Sequence, residues 1–90
     1  MKYTILVSRT FKKQITSLEK NMQDKIKSAL KNLENDPFQP LPGTDIKKLS
    51  HTHPIKYRLR IGSYRIIYTV ENKTVKVIEG FKRGRNYRNL

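Results

Sequence analysis

The chain has 90 residues, 36% of them hydrophobic, with three Phe, five Tyr and no Trp, which is enough for one modest core and too little for a second. Residues 1–90 are therefore read as a single domain, of modest stability unless a partner is bound. Twenty Lys and Arg against seven Asp and Glu leave a formal charge of +13, a field that draws in polyanions: RNA, DNA, an anionic membrane or an acidic protein. The absence of cysteine excludes disulfides, thiolate nucleophiles and cysteine metal sites, and suits the cytoplasm. No apolar run approaches the about 20 residues of a membrane span, and the apolar opening is shorter than a signal h-region, so no membrane role is expected.

Residues 2–7 alternate, with Tyr3, Ile5 and Val7 on one side, and predict a first strand. Ser8 offers an N-cap, and the four-three-four spacing of Phe11, Ile15, Leu18 and Met22 predicts one face of a helix. After a break near Asn21, Ile26, Leu30 and Leu33 predict a second amphipathic helix, antiparallel to the first across a very short connection. Asp36-Pro37 ends it, and the prolines and glycine of residues 37–43 mark a loop. Ile46 to Leu49 suit a short extended edge, and Ser50-His51-Thr52-His53-Pro54 form another loop. His51 and His53 are read there as surface residues rather than metal ligands, because no cysteine and few carboxylates stand nearby.

The last third carries the clearest pattern. Ile55, Tyr57, Leu59 and Ile61 alternate with Lys56, Arg58 and Arg60, as in a half-buried strand. Gly62-Ser63 fits a two-residue type II′ turn with glycine supplying the positive φ. Residues 64–70 return as a strand, Asn72-Lys73 forms a turn, and residues 75–81 make a third strand. The expected fold is α+β: an N-terminal strand, a two-helix hairpin and an antiparallel β-meander, with the helices on one sheet face.

A two-residue turn at Gly62-Ser63 sets Arg60 opposite Arg65 and Arg58 opposite Ile67. Three guanidinium groups then share a face, although like charges directly opposite cost up to about 1 kcal/mol. Solvated charges on an outer strand are the bland alternative. It suits Lys56 better than the arginines, whose planar fork matches phosphate. Extending the register through Asn72-Lys73 puts Val70 against Val75 and Arg65 against Gly80, with Lys82 just beyond on the same face. In the tail, Lys82, Arg83, Arg85 and Arg88 surround Tyr87, so a ring able to stack on a base stands among phosphate-binding cations.

The run Tyr57-Arg58-Leu59-Arg60-Ile61-Gly62-Ser63-Tyr64-Arg65-Ile66-Ile67-Tyr68 resembles the signature of RelE/ParE toxins, Y-R-[LI]-R-[VI]-G-x-Y-R-[VI]-[IV]-Y. Asp45-Ile46-Lys47-Lys48-Leu49 resembles the segment that precedes it, the two helices stand where the family has its helical hairpin, and Lys82-Arg83-Gly84-Arg85-Asn86-Tyr87 is similar to the family ending H-R-x-x-x-Y. The resemblance spans essentially the whole chain. It implies the toxin of a toxin–antitoxin pair: a ribosome-dependent mRNA endonuclease without metal or cofactor, in which a ribose 2′-hydroxyl attacks the adjacent phosphate and translation stops. It also implies a cognate acidic antitoxin as partner, beside the ribosome and mRNA.

Carried over by position, Arg65 stabilises the scissile phosphate, Arg83 stands near the leaving 5′-oxygen and Tyr87 near the 2′-hydroxyl. Arg58 and Arg60 hold RNA, and Lys82 and Arg85 add to that surface. Lys82 stands where many relatives have histidine, which removes the group best matched to proton transfer at neutral pH, so slow cleavage is expected of the free protein. Two alternatives remain open on a shared scaffold: a ParE-like inhibitor of DNA gyrase, and a nucleic-acid-binding homologue without catalysis.

Overall fold

In the computed structural model, which describes residues 2–49 and 55–82, the meander predicted from alternation forms the middle of a mixed sheet. The elements are β1 (Thr4–Val7), α1 (Arg9–Thr16), α2 (Lys20–Asn35), β2 (Thr44–Leu49), β3 (Lys56–Ile61), β4 (Tyr64–Glu71) and β5 (Thr74–Lys82). The sheet order is β1-β5-β4-β3-β2. β2, β3, β4 and β5 are antiparallel to their neighbours along the meander, while β1 runs parallel to β5 at the far edge. Both turns have the expected chemistry. Gly62 takes φ +58°, as the first position of a type II′ turn demands, and Asn72 and Lys73 take φ 48° and 64°, the pair of positive values of a type I′ turn.

Ser8 caps α1 by accepting a hydrogen bond from the Phe11 N–H at 3.0 Å. The helix is shorter than the apolar spacing predicts. Ser17 closes it with its backbone N–H on Gln14 and Ile15, and the hydroxyls of Thr16 and Ser17 bond back to the carbonyls of Lys13 and Gln14, which draws the backbone out of the helix. Leu18 therefore lies in the connection and Met22 in α2, yet both still pack against the core. The end at Asp36 and the loop before β2 are as predicted.

Phe11, Ile26, Ala29 and Leu33 from the helices meet Leu59, Ile61, Tyr64, Ile66, Tyr68, Val75 and Val77 from one sheet face. Fully burying such side chains stabilises by roughly 1.5–3 kcal/mol each. The buried Tyr68 hydroxyl donates to the Pro37 carbonyl at 2.6 Å, and its ring stacks on Tyr57, centroids 5.6 Å apart. That bond fastens the proline loop to the sheet, so the loop's orphan carbonyl is satisfied by a core residue. Among the described residues no helix is long and apolar enough to cross a membrane.

Candidate nucleic-acid interface

Strand parity divides the sheet. Tyr57, Leu59 and Ile61 face the helices, so Lys56, Arg58 and Arg60 face the opposite way. The β3–β4 register pairs Arg60 with Arg65 and Arg58 with Ile67, as the two-residue turn predicts, placing the Arg60 and Arg65 Cβ atoms about 5 Å apart. β2 extends both rows, with Asp45 opposite Arg60 and Lys47 opposite Arg58. One row thus reads Asp45, Arg60, Arg65, Phe81 and the next Lys47, Arg58, Ile67, Glu79.

The three arginines differ in environment. Arg60 is exposed, Arg58 half-buried, and Arg65 only 8% exposed. The Nε and Nη1 atoms of Arg65 and the Nε of Arg58 are buried. A guanidinium does not give up its proton in a protein, so burial leaves full charge in a medium that screens it poorly. A group held this way stabilises an anion with little reorganisation, whereas a solvated lysine must first be ordered.

The β5 register corrects two expectations. Arg65 pairs with Phe81, while Gly80 pairs with Ile66 and Lys82 with Tyr64, because a bulge interrupts the ladder where Ile67 pairs with Glu79 and Tyr68 with Val77. Gly80 therefore does not stand opposite Arg65. It lies on the helix side, where an added Cβ would come within 2.6 Å of the Tyr64 ring. Lys82 also turns to the helix side, at the rim of a cleft of about 360 Å³ shared with Gln14, Leu18 and Tyr64. The cause lies in Glu79: an unbroken register would set it opposite Ile66, which is 0% exposed, burying a carboxylate in apolar surroundings. One extra residue at Ile78 returns Glu79 to the outer face.

Helix α1 secures this bulge through residues whose sequence context gave no such signal. The Ser8 hydroxyl, recognisable only as a cap, also donates to the Ile78 carbonyl at 2.5 Å. Gln14 accepts from the Gly80 N–H at 2.6 Å. Of the sheet tyrosines, Tyr57, Tyr64 and Tyr68 lie on the helix side; burial raises the phenols of Tyr64 and Tyr68 above their ordinary value, for Tyr68 with added effects from Tyr57 and Asp36. Neither is suited to proton transfer near neutral pH. Arg83, Arg85, Tyr87, His51 and His53 lie outside the described residues.

Two helices over one face of a five-stranded mixed sheet, with arginines crossing the other face, define a small α+β protein of the RelE-like fold. The family model for the ParE toxin of the type II toxin–antitoxin system parDE matches residues 5–87. A chain of the archaeal RelE–RelB complex from Pyrococcus horikoshii is 32% identical, with a TM-score of 0.82 over 94% of this chain and 99% of that one. A chain of the RelB–RelE antitoxin–toxin complex from Methanococcus jannaschii is 26% identical, with a TM-score of 0.76 over 94% and 98%. The fold extends to the E. coli RelBE toxin–antitoxin complex, at 20% identity, a TM-score of 0.61 and coverage of 92% and 99%. A search of curated proteins finds no match. The chain belongs to the ParE toxin family of type II toxin–antitoxin systems, within the RelE/ParE superfamily.

Proposed function

We propose that this chain is the toxin of a RelBE-type pair, a cytoplasmic, metal-independent endonuclease that cleaves mRNA on the ribosome and is silenced by an acidic antitoxin. The observation that carries this reading is the convergence of Arg58, Arg60 and Arg65 on one sheet face, with Arg60 and Arg65 directly opposed. That pairing costs stability, and an RNA phosphate between the guanidinium groups offsets the cost.

In the proposed step the ribose 2′-oxygen attacks the adjacent phosphorus, an O2′–P bond forms and the P–O5′ bond breaks, leaving a 2′,3′-cyclic phosphate and a 5′-hydroxyl. The proton lost from the 2′-hydroxyl is matched by one gained at the 5′-oxygen. Charge grows on the phosphoryl oxygens, where Arg65, flanked by Arg58 and Arg60, stabilises the transition state more than the ground state. Arg83 and Tyr87 serve the leaving oxygen and the 2′-hydroxyl, and Arg85 extends the RNA contact. Lys82, carried to the other side of the sheet by the bulge, takes no part at the scissile phosphate.

The test is primer-extension mapping of mRNA translated on cognate ribosomes with purified protein that has first been treated with EDTA and dialysed. New 5′ ends at the decoding site, lost in Arg65→Ala at unchanged fold, are expected. Intact message with active protein and cognate ribosomes would sink the reading.

A second reading, inhibition of DNA gyrase without RNA cleavage, draws on the family model, which is that of a ParE toxin. Loss of supercoiling in a purified gyrase assay, with translated mRNA left intact, would establish it in place of the first. For the antitoxin, the net charge of +13 fits an acidic, partly disordered partner that folds on binding. Salt-sensitive, tight association with the product of an adjacent reading frame is the expected result.

A further inference from the structure

Among the described residues, no strand flanks the outer edge of β5 beyond residue 77. β1 pairs with β5 only from Thr74 to Val77, then turns into α1 at Ser8, while β5 continues to Lys82. Its edge would be left with unsatisfied backbone groups, and two side chains of α1 take the place of a flanking strand. Ser8 binds the Ile78 carbonyl from the helix N-cap at 2.5 Å, and Gln14 receives the Gly80 N–H from the last turns at 2.6 Å. The backbone joins in at the hinge, where the Ser8 N–H donates to the Val77 carbonyl at 3.0 Å. The two side-chain bonds bracket the bulge, one on its extra residue and one two residues further on.

We infer that Gln14 and Ser8 are positioning residues for Arg65: they hold β5 in the bulged register that sets Phe81 beside it on the outer face. A one-residue slip in a strand exchanges its faces. In the unbulged register Phe81 would turn toward the helices, Glu79 would enter the core, and Gly80 would stand opposite Arg65. Phe81, 4% exposed, supplies a rigid apolar wall against which the Arg65 side chain is ordered, and glycine supplies none. Helix α1, on the far side of the sheet from the arginines, thereby controls the geometry at the centre of their face. The consequence for catalysis rests on the endonuclease reading; the control of register does not.

Gln14→Met removes the acceptor at nearly constant volume, and Gln14→Glu keeps an acceptor oxygen. In the Met variant, amide exchange at Gly80 should accelerate on the order of tenfold, the worth of one hydrogen bond. Its amide resonance should shift, the cross-strand NMR contact between Arg65 and Phe81 should weaken, and kcat for mRNA cleavage should fall more than KM rises. The Glu variant should restore all four. Ser8→Asp, which keeps the helix cap but has no proton for the Ile78 carbonyl, probes the second bond and serves if the Met variant does not fold.

An unchanged Gly80 exchange rate and Arg65–Phe81 contact in Gln14→Met would overturn the inference. So would a Glu variant that folds but behaves like Met. If the unaltered protein cleaves no message, the endonuclease reading falls while the exchange and contact measurements still decide the positioning role.

Discussion

Gly80→Ala separates two accounts of one glycine. On backbone grounds alone the change should help, since alanine in a strand interior is favoured over glycine by roughly 0.5–1 kcal/mol. The surroundings reverse the sign. A Cβ at this position would lie 2.6 Å from Cε2 and Oη of Tyr64 and 2.8 Å from Cζ, about 1 Å inside a comfortable carbon–carbon separation. The ring is 3% exposed and packed in the core, and although its far end borders the cleft beside Gly80, a shift there relieves only part of the clash. Overpacking of this kind costs about 1–3 kcal/mol. For a domain of this size about 2 kcal/mol lowers the unfolding midpoint by on the order of 10 °C, measured by circular dichroism. In a Tyr64→Leu background the clash is gone, and the double-mutant cycle should return a coupling of about 1–2 kcal/mol. An unbulged strand gives the opposite pattern, because alanine would then crowd Arg65 and weaken RNA binding at little cost in stability. A midpoint unchanged or raised by Gly80→Ala, with RNA affinity reduced, would refute the bulged register and everything built on it.

Arg60→Thr should leave the midpoint unchanged or slightly higher, since the like-charge pair with Arg65 costs a few tenths of a kcal/mol and the opposing Asp45 offsets only part of that. RNA affinity should fall and its salt dependence lessen by about 0.7 in logarithmic slope; a destabilised variant that binds RNA normally would contradict the assignment. Tyr68→Phe leaves the Pro37 carbonyl without its buried donor and should cost about 1–3 kcal/mol in urea unfolding. Because burial raises the Tyr64 and Tyr68 pKa values above the ordinary 10, the native state holds protons that the unfolded state releases. The stability they contribute is complete below about pH 10 and is lost as pH rises toward the folded values. Ultraviolet titration should show these phenols ionising last, only as the protein unfolds. Lys82→His restores the histidine found in many relatives, but on the helix side of the sheet. The cleavage rate should stay within about twofold and gain no ionisation near 6.5; a tenfold rise with such an ionisation would place residue 82 at the scissile phosphate.

What was legible in the sequence, and what was not, follows from how far each interaction reaches along the chain. The Arg58, Arg60 and Arg65 face was readable because it depends on parity and one two-residue turn, both local. The same holds for the Ser8 cap, the Asn72-Lys73 turn and the stop at Asp36. Apolar spacing places Leu18 and Met22 on the first helix because it continues through residues 17–19, where the hydroxyls of Thr16 and Ser17 end that helix and leave Leu18 in the connection and Met22 in α2. The parallel pairing of β1 with β5 and the contacts of Ser8 and Gln14 with the bulge join residues 66 to 70 positions apart, and no local pattern encodes them. A clue to the bulge was nevertheless present. Counting parity on from Val75 and Val77 puts Glu79 on the buried side, and an unpaired carboxylate there costs far more than a kink in the strand. The strand yields, and in doing so it exchanges the roles of its last residues: Phe81 moves next to Arg65, Gly80 under Tyr64, and Lys82 away from the arginines. One acidic residue with nowhere to be buried thus rearranges the basic face, and α1 fastens the result in place.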